Sequence, residues 1–327
     1  MKRFRWGILT AGKMSAKFVK ALKLLENAEL YAVGARDESR AKLFAEEYGF
    51  QKYYSSYEEL TADPEVDIIY IASPHSHHYE HTMLCLRNKK AVLCEKAFSL
   101  NSREAEAMIA EAAKQGVFLM EALWPPFQPI YQKTREILNS GNAGSIVHLD
   151  ARFGFQPLYD PADRKFNLSL GGGSLLDIGI YPVNDVLYFM GVPDEVTAKA
   201  SFTESGAEHT LSIIFGFQDG RKATVFSSFR ASAGISCTLY CEKGNIVFSR
   251  ARDMSQRLNV TLNGLEPQEF SIIPEGMGYQ YEAAEVMKCL EEGRTESEYV
   301  THAHSLNLMK TLDRVRKEAG IVFPGRD

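Results

Sequence analysis

Residues 4–15, Phe-Arg-Trp-Gly-Ile-Leu-Thr-Ala-Gly-Lys-Met-Ser, constrain the fold more than any other stretch. A short apolar run enters a turn of small residues, and a helical pattern from about Ala16 to Leu25 follows at once. Strand, tight turn and helix in this order open a βαβ unit. Small residues let the backbone approach a pyrophosphate, and the helix N-terminus presents unpaired N–H groups with a partial positive charge. The stretch departs from a strict G-x-G-x-x-G. Thr10 and Ser15 stand at the first and third positions, Gly12 fills the second, and Gly7 lies inside the strand. Read alone, the segment is equally an ordinary strand–turn–helix.

The surroundings favour a dinucleotide. Ala28-Glu-Leu-Tyr-Ala-Val-Gly-Ala35 alternates and then runs apolar, as a buried parallel strand does. It ends at Arg36-Asp37-Glu38-Ser39-Arg40. An acidic residue at this strand end holds a ribose 2′-hydroxyl, whereas an arginine suits a 2′-phosphate. Arg36 takes that place, and Arg40 follows four residues later, so both guanidinium groups can address one phosphate. NADP is therefore expected over NAD, with Asp37 leaving NAD use possible. The competing reading pairs both arginines with Asp37 and Glu38 in solvent.

Up to about residue 122, strand and helix patterns alternate, which indicates a doubly wound parallel sheet. Strands are expected at 4–9, 29–35, 52–54, 67–72, 91–94 and 117–120, with helices at 15–25, 39–48, 57–61, 77–87 and 102–115. Pro125, Pro126 and Pro129 then punctuate the chain after Trp124. Beyond a helix at 129–138 the pattern changes to short strands joined by turns such as Asp219-Gly220 and Lys243-Gly244-Asn245, the mark of antiparallel hairpins. One helix, 174–190, interrupts them, and two more, 279–292 and 301–319, close the chain. The expected architecture is α/β. A Rossmann-type domain spans 1–122, and an α+β domain with an open-faced, mostly antiparallel sheet spans 123–327.

At 327 residues the chain is long for a single core. The 37 basic and 42 acidic residues give a net charge of −5, which argues against general nucleic-acid binding. No run has the length and apolarity of a membrane span. The N-terminus lacks the apolar stretch and cleavage site of a signal peptide. The five cysteines show no C-x-x-C spacing, so reduced thiols and a cytoplasmic location are expected.

Three places can carry chemistry. Ser73-Pro74-His75-Ser76-His77-His78, with His81, follows the central strand Asp67–Ala72, where open α/β sheets bind ligands. Half of the eight histidines lie here. No H-E-x-x-H pattern or third ligand accompanies them, so contact with the cofactor is favoured over a metal. Glu95-Lys96-Ala97 ends a later strand, where the ammonium would face the same crevice; the bland alternative is a solvated Glu95–Lys96 pair. Gly171-Gly172-Gly173-Ser174 precedes a helix that Ser174 can cap. Asp177 and Tyr181 are four apart on that helix and share a face. A carboxylate beside a phenol can grip and deprotonate a hydroxyl, and a neighbouring ammonium would bring the phenol nearer neutrality from about 10. Alternatively, Tyr181 packs in a core.

Taken together, these segments resemble the Gfo/Idh/MocA family of NAD(P)-dependent oxidoreductases. Thr10-Ala11-Gly12-Lys13-Met14-Ser15 is similar to the family's G-x-G-x-[IM]-[AG] turn. Ser73-Pro74-His75 through His78 is similar to T-P-N-x-x-H, Glu95-Lys96-Ala97 to E-K-P, and Asp177-Ile-Gly-Ile-Tyr181 to D-x-G-x-[HY]. Tyr181, Thr10, Arg36 and Arg40 agree with the family's dihydrodiol and xylose dehydrogenase branch. The resemblance implies hydride transfer between a nicotinamide and a sugar or cyclic diol. It implies Tyr181 as the acid/base, Lys96 as its tuning partner, and Asp177 as the residue that orients substrate. It also implies Thr10 to Met14, Arg36, Arg40, Ser73, Pro74, His75, His78, Glu95 and Lys96 around the cofactor, and a homodimer or higher homo-oligomer. Ala97 and His75 depart from the motifs, and Trp124-Pro125-Pro126-Phe127 lacks an arginine that the branch often has. Those departures keep open a sensor that binds NADP(H) without turnover, and an enzyme that uses its cofactor transiently in elimination or hydrolysis.

Overall fold

The computed structural model describes residues 2–251 and 255–326. The chain opens with β1 (Phe4–Leu9), α1 (Lys13–Leu22), β2 (Ala28–Gly34), α2 (Glu38–Tyr48), β3 (Lys52–Tyr54) and α3 (Tyr57–Ala62). It continues with β4 (Ile68–Ile71), α4 (His78–Arg87), β5 (Ala91–Glu95), α5 (Ser102–Gln115) and β6 (Leu119–Ala122). The six strands form a parallel sheet in the order β3-β2-β1-β4-β5-β6. The order reverses between β1 and β4, and a crevice opens at the carboxyl ends of the strands at such a point.

Burial explains these elements. Ile68 to Ile71 of β4 are all fully buried, as a central parallel strand with both faces covered must be. Trp6 of β1 is also fully buried, although its Nε1 has no partner among the described residues. Burying about 250 Å² of indole contributes roughly 6 kcal/mol, which outweighs the ~1–3 kcal/mol cost of an orphaned donor. Phe18 from α1 meets Trp6 edge-on at 5.5 Å and stacks on Tyr70 at 3.7 Å, fixing α1 against β1 and β4. Asp37, Ser56 and Asn101 cap α2, α3 and α5, each accepting a backbone N–H of the first turn; such caps contribute ~1 kcal/mol each.

After Phe127 come α6 (Pro129–Asn139), β7 (Ile146–Gly154) and a π-helical turn, Leu175–Gly179, that runs into α7 (Ile180–Met190). Seven strands follow: β8 (Glu195–Phe202), β9 (Glu208–Gly216), β10 (Lys222–Ser228), β11 (Gly234–Cys241), β12 (Gly244–Arg250), β13 (Gln256–Leu262) and β14 (Gln268–Ile272). The eight strands order as β14-β13-β12-β11-β7-β10-β9-β8, antiparallel except for the β7–β10 pair. The two faces differ sharply. Register aligns Ile213, Val225, Ala151, Cys237, Phe248 and Leu258 in one buried row, against which α7 packs. On the other face Ile214, Thr224, Asp150, Thr238, Val247 and Asn259 form a half-buried to exposed row.

The chain ends with α8 (Tyr279–Glu291) and α9 (His302–Ala319). Two compact units result, and neither is continuous in sequence. One comprises Met1–Phe127 with Glu275–Leu306, and the other Gln128–Pro274 with Asn307–Asp327. In the first unit α8 packs on α1, and Leu119 of the edge strand β6 donates its N–H to Thr295 O and meets His302 Nε2 through its carbonyl oxygen, at 3.1 and 2.9 Å. The α/β class, the parallel first sheet and the mostly antiparallel second sheet agree with the sequence reading.

Candidate active site

In the first unit the β1–α1 turn is held from several sides. Thr10 adopts φ +89°, a left-handed conformation that costs a non-glycine residue ~1–3 kcal/mol. Its hydroxyl offsets that cost by donating to Ala72 O at 3.0 Å, which ties the end of β1 to the end of β4. Ser15 Oγ donates to Thr10 O at 2.6 Å. The two residues that replace glycines therefore brace the turn through their hydroxyls. Gly12 is the N-cap of α1 and supplies no side chain to it, and the first turn carries no acidic residue. A methyl at Gly12 would meet nothing nearer than Thr10 Oγ1, 3.9 Å away. Ala11 to Met14 thus leave backbone N–H groups open to an anion, and they fit a pyrophosphate.

The end of β2 sorts its charges. Asp37 turns its carboxylate back to its own helix, accepting from Arg40 N at 3.0 Å and Ser39 Oγ at 2.5 Å, and these bonds hold it below the usual carboxylate range. Arg40 donates from Nε to Ala11 O at 2.8 Å, which places its guanidinium against the turn. Arg36 lies within hydrogen-bonding reach of the half-buried Tyr57, whose phenol burial pushes up. Tyr57 in turn meets His81 edge-on at 4.7 Å. The acid is occupied and the two cations both stand near Tyr57, an arrangement that fits a phosphate better than a ribose hydroxyl.

The loop after β4 is pinned internally. His78, first residue of α4, bridges Ala97 O at 2.6 Å through Nδ1 and Ser73 O at 2.8 Å through Nε2. His81 Nδ1 meets Ser73 Oγ at 2.9 Å. Ser73 and His75 are buried, and Pro74 is half-buried. Glu95, at the end of β5, is buried rather than a surface carboxylate and accepts from Tyr70 Oη at 2.5 Å. Lys96 is half-buried, and its peptide bond to Ala97 is cis. Two further carboxyls stand nearby. Glu121 of β6 accepts from Phe98 N at 3.1 Å and Ser305 Oγ at 2.7 Å, and burial pushes it up to about 7. Glu282 of α8 is fully buried, and burial and the charge of Glu95 push it well above the usual range.

In the second unit the helix after the three-glycine loop is capped by a carboxyl in place of the expected Ser174 hydroxyl. Ser174 does not cap the helix; its hydroxyl pairs with Ser227 Oγ on β10 at 3.1 Å. The cap comes from Glu208, first residue of β9, whose Oε1 accepts from Leu175 N at 2.7 Å. Charged or protonated, the carboxyl keeps an oxygen that accepts from Leu175 N. Gly173 sits at φ +134°, and any Cβ there would collide with the Glu208 carboxylate. Gly179 brings the helix close to the sheet: a Cβ would lie 3.0 Å from Ser227 Oγ. Asp177 is buried and pairs with Arg164 Nη1 at 3.0 Å. Half-buried Tyr181 lies one turn on, its ring 5.9 Å from that of Phe153.

Comparison with known proteins agrees with this geometry. Residues 4–123 match an oxidoreductase family with an NAD-binding Rossmann fold, and residues 131–247 match the C-terminal domain of the same family. The chain is 35% identical to trans-1,2-dihydrobenzene-1,2-diol dehydrogenase of Xenopus tropicalis, over 98% of this chain and 99% of the relative. It is 36% identical to the Mus musculus protein of that name, over 98% of both. The chain belongs to the Gfo/Idh/MocA family. Among solved members, aldose-aldose oxidoreductase from Caulobacter crescentus, complexed with glycerol, superposes with a TM-score of 0.88 at 25% identity over 98% of both chains.

This Gfo/Idh/MocA protein keeps each expected segment at a strand end or on the helix that begins the second unit's core. Thr10 to Met14, Arg36, Arg40, Ser73 to His75, His78, Glu95 and Lys96 all lie in the first unit, at the carboxyl ends of β1, β2, β4 and β5 or one turn into the helices that follow. Asp177 and Tyr181 lie in the second. Sequence reading missed Tyr57, Glu121, Arg164, Glu208 and Glu282. The legible signal for Glu121 was a lone carboxylate in the apolar run Phe118-Leu-Met-Glu-Ala122.

Proposed function

We propose that this protein is an NADP(H)-dependent oxidoreductase that acts on a CH–OH group of a sugar or cyclic diol, or on the corresponding carbonyl. The observation that carries the reading is the near-full-length identity to dihydrodiol dehydrogenases, joined to a buried Asp177 and a half-buried Tyr181 on one helix. NADP over NAD rests on the occupied Asp37 and the Arg36–Arg40 pair. When bound, the nicotinamide accepts or supplies the hydride. In the oxidative direction the substrate carbon gives up its hydride and the hydroxyl its proton, leaving a carbonyl. Tyr181 takes that proton at its phenolic oxygen, and Lys96 favours the phenolate by its charge. Asp177, held by Arg164, orients the substrate hydroxyl.

Tyr181→Phe should lower kcat at least ~100-fold while NADPH binding, read by fluorescence, is nearly retained. An unchanged kcat would remove Tyr181 from the chemistry. Lys96→Met should act similarly, with a raised KM. A panel of aldoses, inositols, anhydro-sugars and aromatic diols with NADP identifies the substrate; tight NADPH binding with no turnover on any of them would favour a sensor.

The five cysteines are free thiols, which suits the cytoplasm. A homodimer through the open face of the eight-stranded sheet is the assembly we favour. Ile214 and Tyr240 stand exposed on that face, a surface that a second copy would cover.

A further inference from the structure

We propose that His78 and Glu121 are a charge-separated pair that grips one peptide group, Ala97–Phe98, from both ends and so positions Lys96. The inference rests on the reading of Lys96 as a residue of turnover. Ala97 C=O and Phe98 N–H belong to the same planar unit. The oxygen faces His78 Nδ1 at 2.6 Å, and the N–H donates to Glu121 Oε1 at 3.1 Å.

The ring's partners decide its charge. Nδ1 and Nε2 both face backbone carbonyl oxygens, Ala97 O and Ser73 O, which only accept. A neutral imidazole donates through one nitrogen and would set the other lone pair against an oxygen. An imidazolium donates through both. Glu121 is the mirror case, because Phe98 N–H and Ser305 Oγ both donate to it. His78 and Glu121 are each 1% exposed. Burial disfavours the charged form of each: it lowers the ring to about 4 against the two carbonyl contacts that raise it, and raises the carboxyl to about 7 against the two donors that lower it. At an effective dielectric of about 20, two opposite charges about 8 Å apart attract by roughly 2 kcal/mol, and a peptide dipole aligned between them adds to that attraction. The other titratable groups facing the pair are His75, His77, His81 and Lys96 at the ring, and Glu95, Cys94 and Lys96 at the carboxylate. The clamp joins α4, the loop after β5, and β6. Through Ser73 it also reaches the loop after β4, so Lys96 and the cofactor-side loop share one anchor.

Nitrogen-15 NMR of histidine-labelled protein tests the pair directly, with Glu121→Gln and His78→Gln as variants; the latter assigns the signal. The expected result at pH 7 is a His78 ring protonated on both nitrogens in the wild type and a neutral ring in Glu121→Gln. A neutral His78 ring in the wild type would overturn the proposal. In kinetics, Glu121→Gln keeps an acceptor for Phe98 N–H but removes the charge. Its kcat should fall ~10-fold or more while the NADPH Kd stays within about 2-fold, and the double variant should lose little beyond the worse single one. A kcat within about 2-fold of wild type, or losses that multiply, would refute the positioning role. If Lys96→Met leaves kcat intact, the role of Lys96 fails, while the NMR result still decides the charge pair.

Discussion

Arg36 and Arg40 should separate when each is replaced by alanine, because the structure gives them different second tasks. Arg40 Nε bonds Ala11 O at 2.8 Å, within the turn that any dinucleotide would use. Losing that partly buried bond costs about 1 kcal/mol, or roughly 5-fold in affinity, for NADPH and NADH alike. Losing a guanidinium from a 2′-phosphate costs about 1.5–3 kcal/mol in addition, which NADPH alone feels. Arg36 leans on Tyr57 and not on the turn, so its loss should spare NADH. The expected pattern in fluorescence titrations at fixed ionic strength is specific. Arg36→Ala weakens NADPH by ~10–100-fold and leaves NADH within about 2-fold. Arg40→Ala weakens NADH by about 5-fold and NADPH by that factor and a further ~10–100-fold. An Arg36→Ala variant that weakens both cofactors equally, or a wild type that binds NADH more tightly, would refute the phosphate assignment.

The remaining predictions concern the second unit. Gly173→Ala forces a side chain into φ +134° and against the Glu208 carboxylate. It should destabilise by ~2–4 kcal/mol and lower Tm by ~5 °C or more, and a Tm within about 2 °C of wild type would contradict this account. Glu208 is 1% exposed, and burial raises it from 4.5 to about 7. The folded state therefore holds a proton that the unfolded state releases between those values, so its stability contribution is present below pH 4.5 and is lost as pH rises through 7. The difference amounts to about 3 kcal/mol. Glu208→Gln keeps the acceptor for Leu175 N without the titration. Its stability relative to wild type should improve from pH 5 to pH 8 in urea melts, and a difference that is flat with pH would count against the raised value.

The parts of the fold set by local pattern were readable in the sequence. Apolar runs such as Ile68–Ile71 announced buried parallel strands, and turns such as Asp219-Gly220 and Lys243-Gly244-Asn245 announced the hairpins of the second sheet. Site segments were readable because strand ends and helix starts are local too. Residues whose role depends on distant partners escaped. Ser174 had the composition of a cap, yet Glu208, 34 residues on from it, occupies that place. Glu121 and Glu282 are ordinary carboxylates in sequence and become unusual only when the fold buries them. The return of α8 to the first sheet likewise left no mark in periodicity, since an amphipathic helix does not name its partner.

That return has a consequence for synthesis. The outer margin of β6 is sealed by Thr295 and His302, which follow it only after the whole of the eight-stranded sheet. A ribosome that has released β6 but not yet residues 295–302 exposes a strand with no neighbour on that side, a template for unwanted pairing until that segment emerges. The nucleotide-binding unit is thus finished only after the segment that carries Thr295 and His302 has been made.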